Sequence, residues 1–190
     1  MKHDNYKQYF SYLINRSKIA FLYRKFWLYP IILYKLNGKI LDVGCGIGDL
    51  LSYKKNIIGV DINPCAVSYC KNKGLDARIM KVNKLPFNSK TFDCIVLDNV
   101  LEHIRDPLPL LDEISRVIKK HGILIIGVPG IKGYSYDPDH KKYYTKTTLI
   151  SLMSSQGYIN QSIYGMPLNI DWLSDKIRQY CIYARFKKVK

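Results

Sequence analysis

From residue 39 onward, short apolar runs alternate with stretches whose apolar positions recur at helical spacing. The apolar runs predict buried strands over 39–43, 57–61, 77–80, 92–97 and 122–128. The intervening stretches predict helices over 47–53, 64–72 and 107–119. Because strands that alternate with helices pair in parallel, this order predicts an α/β fold.

Further elements are predicted at both ends of the chain. Upstream of the first strand, the pattern predicts helix over roughly 5–35. Downstream, it predicts a helix over 147–155 with Thr145 as its candidate N-cap, then two strands over 159–164 and 180–186. No repeat or internal linker divides the 190 residues, so a single globular unit is expected.

A glycine-rich turn follows the first predicted strand. Gly44, Gly46 and Gly48 occupy every second position after Asp42, and glycine adopts backbone angles that are closed to other residues. Such a turn lets a ligand lie against the main chain. The next strand ends in Asp61, the position at which a doubly wound sheet holds the two hydroxyls of a ribose. The pattern therefore predicts a nucleoside-binding site.

The spacing of the glycines argues against a phosphorylated nucleotide. A dinucleotide fingerprint that began at Gly44 would need a third glycine where Asp49 stands, and an acid there would repel a pyrophosphate. No Gly-Lys-Ser/Thr follows, so the phosphate-loop signature is absent as well.

The pattern Asp42-x-Gly44-x-Gly46-x-Gly48 resembles the class I S-adenosylmethionine-dependent methyltransferases, whose cofactor has no phosphate. The resemblance covers residues 38 to about 160. Its further segments, in order, are Leu85-Pro86-Phe87, Phe92 to Val96, Val100 to Ile104, Pro107 with the helix to Ile118, and His121 to Ile126. It implies a Rossmann-like, doubly wound, seven-stranded and mostly parallel sheet with helices on both faces and an antiparallel last strand. It also implies a helical cap over 1–36 and a methyltransferase domain over 37–190.

The resemblance also implies residue roles. Contacts to S-adenosyl-L-methionine, or to its product S-adenosyl-L-homocysteine, are expected from Asp42, Gly44, Cys45, Gly46, Asp61, Ile62, Val82 and Asp98. Turn geometry and core packing are the alternative roles for these residues. Lys81 departs from the family, because relatives place there an acid that accepts from the adenine amino group. The backbone near Val82 is the substitute acceptor.

Two histidines are candidates for removing a proton from the methyl acceptor, since imidazole titrates near neutral pH. His103 follows the strand that ends near Asp98, at the sheet edge where ligands bind, and His140 precedes a predicted helix. The alternative for His103 is a purely structural hydrogen bond within its loop.

Positive charge is concentrated at the two flanks of the chain. Residues 1–40 carry a net +7, residues 41–131 carry +2 and residues 132–190 carry +6, which sum to +15. Basic flanks favour a small anionic or lipid- or sugar-linked acceptor, although a solvated lysine-rich surface explains the same charge. The aromatic and basic residues of 1–36 also suggest peripheral contact with a membrane, beside their expected use as a cap.

Composition narrows the remaining classes. No stretch of about 18 uncharged apolar residues is present, and the N-terminus lacks the apolar core of a secretory signal, so a cytoplasmic protein is expected. The five cysteines form no Cys-x-x-Cys pair and have no histidine at zinc spacing, so no metal site is predicted. The leading function is a small-molecule methyltransferase, and the alternatives are an RNA methyltransferase and a noncatalytic scaffold.

Overall fold

The computed structural model describes residues 3–189. The helices are α1 (His3–Ile14), α2 (Lys18–Tyr23), α3 (Tyr29–Ile32), α4 (Asp49–Tyr53), α5 (Pro64–Asn72), α6 (Leu108–Val117), α7 (Ile131–Tyr136) and α8 (Lys146–Ser155). The strands are β1 (Ile40–Val43), β2 (Ile57–Asp61), β3 (Ala77–Ile79), β4 (Phe92–Asp98), β5 (Ile118–Pro129), β6 (Tyr158–Met166) and β7 (Cys181–Lys188). A π-helical turn over Arg24–Leu28 joins α2 to α3, and 3₁₀ turns lie at Leu101–His103 and Asp171–Ser174.

The seven strands form one sheet in the order β3-β2-β1-β4-β5-β7-β6. Strand β1 pairs in parallel with β2 and β4, whereas β7 pairs antiparallel with β5 and β6. The predicted fold class is therefore confirmed, including the antiparallel last strand.

The central strands are buried on both faces, which explains their continuous apolar sequences. Successive side chains of a strand point to opposite faces, so Leu41 and Val43 join one core cluster while Ile40 joins the other. The first cluster packs against α6 and α8, and the second against α4, α5 and the helices of the N-terminal segment. Among the helices of residues 3–189, none is both long and apolar enough to cross a bilayer.

Two predicted helices differ from the structure. The helix expected over 5–35 is interrupted near Asn15, and α2 begins anew where the Ser17 side chain accepts from the backbone N–H of Ala20 at 3.2 Å. The helix expected to reach residue 119 ends at Val117, because Ile118 already pairs with Phe92 of β4. The N-cap predicted at Thr145 is confirmed, since its hydroxyl accepts from the N–H of Thr148 at 3.1 Å.

Candidate active site

A cavity of about 250 Å³ opens at the carboxyl ends of β1 and β4. This is the edge at which open α/β sheets bind ligands. The cavity is lined by residues of α1, the glycine turn after β1, the segment after β4, the segment that follows β5, and the connection between β6 and β7. It therefore brings both flanks of the chain to the central sheet.

The glycine turn lies on one wall of this cavity. Gly44 has φ +78°, and a Cβ atom there would lie 2.5 Å from Cγ2 of Val100. Gly46 has φ +51°, and its Cβ would lie 3.2 Å from Cδ1 of Leu13 in α1. Cys45, which is 8% exposed, also lines the cavity. Glycine at 44 and 46 is thus required both by backbone angle and by the close approach of neighbouring side chains.

Asp61 contacts the glycine turn itself. One carboxylate oxygen accepts from the N–H of Gly46 at 2.8 Å, and the other accepts from the N–H of Asn63 at 2.8 Å. Burial raises the pKa of Asp61, and these hydrogen bonds oppose that shift. Helix α1 covers this region, because the Asn63 side chain donates to the carbonyl oxygen of Tyr6 at 2.9 Å.

Three of the expected cofactor contacts lie outside the residues that line the cavity. Asp61 is buried beneath α1, and Ile62 is half-buried against the core. Val82 is 67% exposed in the turn after β3. The other five, namely Asp42, Gly44, Cys45, Gly46 and Asp98, all line the cavity.

Asp42 and Asp98 form a buried acidic pair at the ends of β1 and β4. Asp98 accepts from Tyr183 Oη at 2.6 Å and forms an ion pair with Arg24. Burial raises the pKa of Asp42 well above its ordinary value, and the adjacent Asp98 carboxylate adds to the shift. Arg24 also donates to Tyr29 Oη at 3.2 Å, so the N-terminal segment supplies the cation that faces this pair.

His103 and His140, which also line the cavity, lie side by side with ring centroids 4.7 Å apart. The backbone N–H groups of Lys141 and Lys142 both donate to the carbonyl oxygen of Glu102, at 2.6 and 3.1 Å. These hydrogen bonds hold the loop that carries His140 against the 3₁₀ turn that carries His103. The two predicted proton acceptors therefore lie in the same wall of the cavity.

Glu102 is buried beside these histidines, with 1% of its surface exposed. Burial raises its pKa to about 8, and the carboxylates of Asp98 and Asp137 add to the shift. Burial together with the neighbouring His140 lowers the pKa of His103. Both shifts favour the neutral forms of Glu102 and His103 unless a cation binds beside them.

Arg178 lies on the connection between β6 and β7 and lines the same cavity. Its guanidinium carbon lies 3.3 Å from the ring centroid of Tyr136, and it donates to Tyr12 Oη at 3.4 Å. The other two arginines of the cavity, Arg16 and Arg24, each pair with a carboxylate. Within residues 3–189, Arg178 has no carboxylate within ion-pair distance.

The sequence was compared with models of known protein families. Residues 41–126 match the family model described as a methyltransferase domain. The matched residues are therefore similar to a methyltransferase domain, in agreement with the resemblance seen in the glycine turn.

Individual relatives show how far this similarity extends. A Mycobacterium tuberculosis protein named a probable S-adenosylmethionine-dependent methyltransferase, Rv3030, is 26% identical over 139 residues, which are 67% of this chain and 51% of that protein. An uncharacterized Methanocaldococcus jannaschii protein, MJ1123, is 33% identical over 92 residues, or 48% of this chain and 45% of that protein. The chain thus spans about half the length of these curated relatives.

Solved structures extend the match to the flanks. The crystal structure of a SAM-dependent methyltransferase from Thermotoga maritima superposes with a TM-score of 0.78, covering 98% of this chain and 100% of that chain. At 17% sequence identity, this likeness concerns the fold. The N-terminal helices and the last two strands thus belong to the shared architecture.

The cofactor of this superfamily is S-adenosyl-L-methionine, which carries a sulfonium and an α-ammonium group. The cavity offers such a cation the carboxyl groups of Asp42, Asp49, Asp98, Glu102 and Asp137, of which Asp49 and Asp98 also pair with Arg16 and Arg24. No lysine is among its lining residues within 3–189. Acids near the glycine turn suit a cationic cofactor and disfavour a phosphorylated one.

Sequence reasoning assigned no individual role to Arg24, Glu102, Asp137 or Arg178. Glu102 did carry a signal, since it is a single acid within the apolar run Val100 to Ile104. The position of Arg178 follows from the antiparallel return of β7, which no local pattern encodes.

Proposed function

We propose that the protein transfers a methyl group from S-adenosyl-L-methionine to an oxygen atom of a small anionic acceptor. The observation that carries this proposal is that the glycine turn and the histidine pair both line the walls of one cavity. Cofactor and acceptor bound to these walls would meet within it, as an in-line displacement requires.

The cofactor end of the site consists of the glycine turn and the acidic pair. The cofactor supplies an electrophilic methyl group whose leaving group is already activated. Asp42 and Asp98 would face the amino acid tail, since two carboxylates share only the single cation of Arg24. Asp61 would reach the ribose once α1 moves away from Asn63.

The acceptor end consists of His103, His140 and Glu102. Transfer to a hydroxyl group forms a carbon–oxygen bond and releases the hydroxyl proton, which the enzyme must accept. His140 Nε2 lies 3.9 Å from a carboxylate oxygen of Glu102, so the proton would enter a wall that already holds several acceptors. This cluster is proposed to bind the acceptor oxygen and to promote loss of its proton.

Arg178 is the residue that supports an anionic acceptor. Its guanidinium lies in the cavity with an aromatic ring and a tyrosine hydroxyl as its neighbours. A carboxylate or phosphate on the acceptor would supply the bidentate partner that a guanidinium prefers. The net +6 of residues 132–190 adds a longer-range attraction of the same sign.

The exposed apolar surface of the N-terminal segment supports a second part of the proposal, peripheral contact with anionic membranes. Ile19, Phe26 and Trp27 are 79%, 67% and 50% exposed. Trp27 Nε1 donates to the carbonyl oxygen of Pro167 at 3.0 Å, which joins this surface to the connection between β6 and β7, and Trp172 on that connection is 65% exposed. Aromatic and lysine side chains in this arrangement suit a headgroup interface.

The test of the catalytic proposal combines binding and transfer. Isothermal titration calorimetry with S-adenosyl-L-homocysteine should show one site per chain. Tritium from the methyl-labelled donor should then enter phenolic carboxylates or sugar phosphates, and not their methyl esters or free sugars. Absence of binding of both donor and product would refute the enzyme and leave a noncatalytic scaffold. Label appearing in RNA would refute the small acceptor.

A further inference from the structure

Glu102, His103 and His140 present one ligand atom each within 4.8 Å of one another. Glu102 and His103 are adjacent in sequence, and His140 follows 37 positions after His103. Two backbone hydrogen bonds to the carbonyl oxygen of Glu102 hold these segments together. The cluster is therefore fixed by the backbone and does not depend on chance side-chain contact.

The carboxylate of Glu102 has no hydrogen-bond partner for either oxygen among the described residues, although both oxygens are buried. Buried polar atoms are almost always paired, and a buried carboxylate without a partner is costly. A second carboxylate is close by, because an oxygen of Asp137 lies 3.9 Å from His140 Nε2. The wall thus converges several electron-pair donors on one space.

His140 is oriented so that its lone pair faces this space. Its Nδ1 lies 2.8 Å from the carbonyl oxygen of Tyr134, and a carbonyl oxygen only accepts, so Nδ1 carries the hydrogen. In the neutral ring, Nε2 then holds the lone pair and points toward Glu102 and Asp137. A backbone carbonyl that accepts from the second nitrogen is the usual support of a metal-binding histidine. The Tyr134 ring stacks on the imidazole at 5.3 Å and fixes its plane.

We propose that Glu102, His103 and His140 bind a divalent transition-metal ion, with Asp137 within reach as a further ligand. Two imidazoles and a carboxylate select ions such as Zn²⁺, Co²⁺, Mn²⁺ or Fe²⁺ over Ca²⁺, which takes oxygen ligands. Ligand atoms about 2.1 Å from one ion lie about 3.4 Å apart in a tetrahedral site. The cluster would therefore contract by roughly 1 Å around the ion.

The ion would complete the acceptor end of the proposed function, on which its catalytic role rests. Bound beside the acceptor, it coordinates the acceptor oxygen and lowers the pKa of that hydroxyl, so the proton passes to water and not to a free histidine. It also neutralises the acids of this wall, which brings the cavity's charge into accord with an anionic acceptor and with Arg178.

Co²⁺ is the probe that tests the site, because its visible spectrum reports the ligands. Protein stripped with EDTA and dialysed should bind one equivalent of Co²⁺, and the near-ultraviolet band of a cobalt–thiolate bond should be absent. That absence separates this site from the five cysteines. Glu102→Gln and His140→Gln should each weaken binding by about 100-fold or more. A stoichiometric site that is unaffected by both variants, or a thiolate spectrum, would overturn the proposal.

His121→Asn provides the matched control, because His121 is exposed on β5 and lies outside the cavity, and asparagine tolerates its φ of +62°. Its Co²⁺ affinity should equal that of the unmodified protein. Binding of S-adenosyl-L-homocysteine, measured on the same samples, separates the two proposals. Binding of S-adenosyl-L-homocysteine without binding of Co²⁺ would refute the metal site alone. Binding of Co²⁺ without binding of S-adenosyl-L-homocysteine would refute the proposed function alone.

Discussion

Arg24 of the N-terminal segment donates a hydrogen bond to the carboxylate of Asp98 at the end of β4. The side chains of this pair are 21% and 9% exposed, and the buried Asp42 lies beside them. Arg24→Met removes the cation that pairs with Asp98 and leaves this carboxylate, next to the buried Asp42, with the neutral donors Tyr183 and Asn99. We expect the free energy of unfolding, measured with urea at pH 7, to fall by about 3 kcal/mol.

The control for Arg24 is Arg78→Met. Arg78 pairs with Asp76 at 3.2 Å, and both side chains are about half exposed. A surface pair of this kind contributes about 0–1 kcal/mol. Equal losses in the two variants would contradict a special role for Arg24.

Gly44→Ala tests the glycine turn. An added methyl group would clash with Val100 and impose an L-residue on a φ of +78°. We expect the dissociation constant for S-adenosyl-L-homocysteine, measured by calorimetry, to rise by about tenfold or more. Gly74→Ala carries the same backbone strain, at φ +72°, with nothing within 4 Å of its Cβ. Both variants should lose about 1 kcal/mol of unfolding free energy from this strain, but Gly74→Ala should keep its affinity for S-adenosyl-L-homocysteine.

Asp42 makes the stability of the protein depend on pH. Its pKa is raised in the folded state, so the folded chain holds a proton that the unfolded chain has already released. Stability should therefore fall as the pH rises above about 4, where an unfolded aspartate ionises. Asp42→Asn should flatten this dependence and raise the free energy of unfolding at pH 7. The exposed Asp76→Asn serves as control, and a curve for Asp42→Asn that retains the full slope would contradict the assignment.

Phe26→Glu tests membrane contact. Phe26 is 67% exposed beside Lys25, in the surface proposed to meet the headgroups. We expect co-sedimentation with phosphatidylserine-containing vesicles to fall by about tenfold, because the change removes an apolar anchor and adds a repelled charge. Ile159→Glu makes the same change in charge at a site 59% exposed on β6. Equal loss in both variants would mean that net charge alone drives the association.

The parts of the fold that follow from local physics were predictable. The central strands are buried on both faces and so appear in the sequence as continuous apolar runs, as for Ile40 to Val43. The cap at Thr145 follows from the hydrogen bond that its hydroxyl makes with the next turn. The break near Asn15 was equally accessible, since Ser17 is a favoured N-cap residue.

Other features depend on contacts between distant segments. Helix α7 is short and contains Gly133 and Ser135, so its apolar pattern is weak. The approach of His140 to Glu102 rests on backbone hydrogen bonds from Lys141 and Lys142, which any residue type other than proline could make. The identity of these residues therefore gives little information about this contact, and the cluster of Glu102, His103 and His140 could not be predicted from the sequence.

Arg178 lies on the connection between β6 and β7, beyond the matched residues 41–126, whereas the glycine turn lies within them. The residue that would bind the anionic group of the acceptor thus lies outside the stretch that would hold the methyl donor, whereas Glu102 and His103 of the acceptor end lie within it. Substitutions in the connection between β6 and β7 would therefore change which anionic acceptor is bound, while the glycine turn and the central strands keep their sequence.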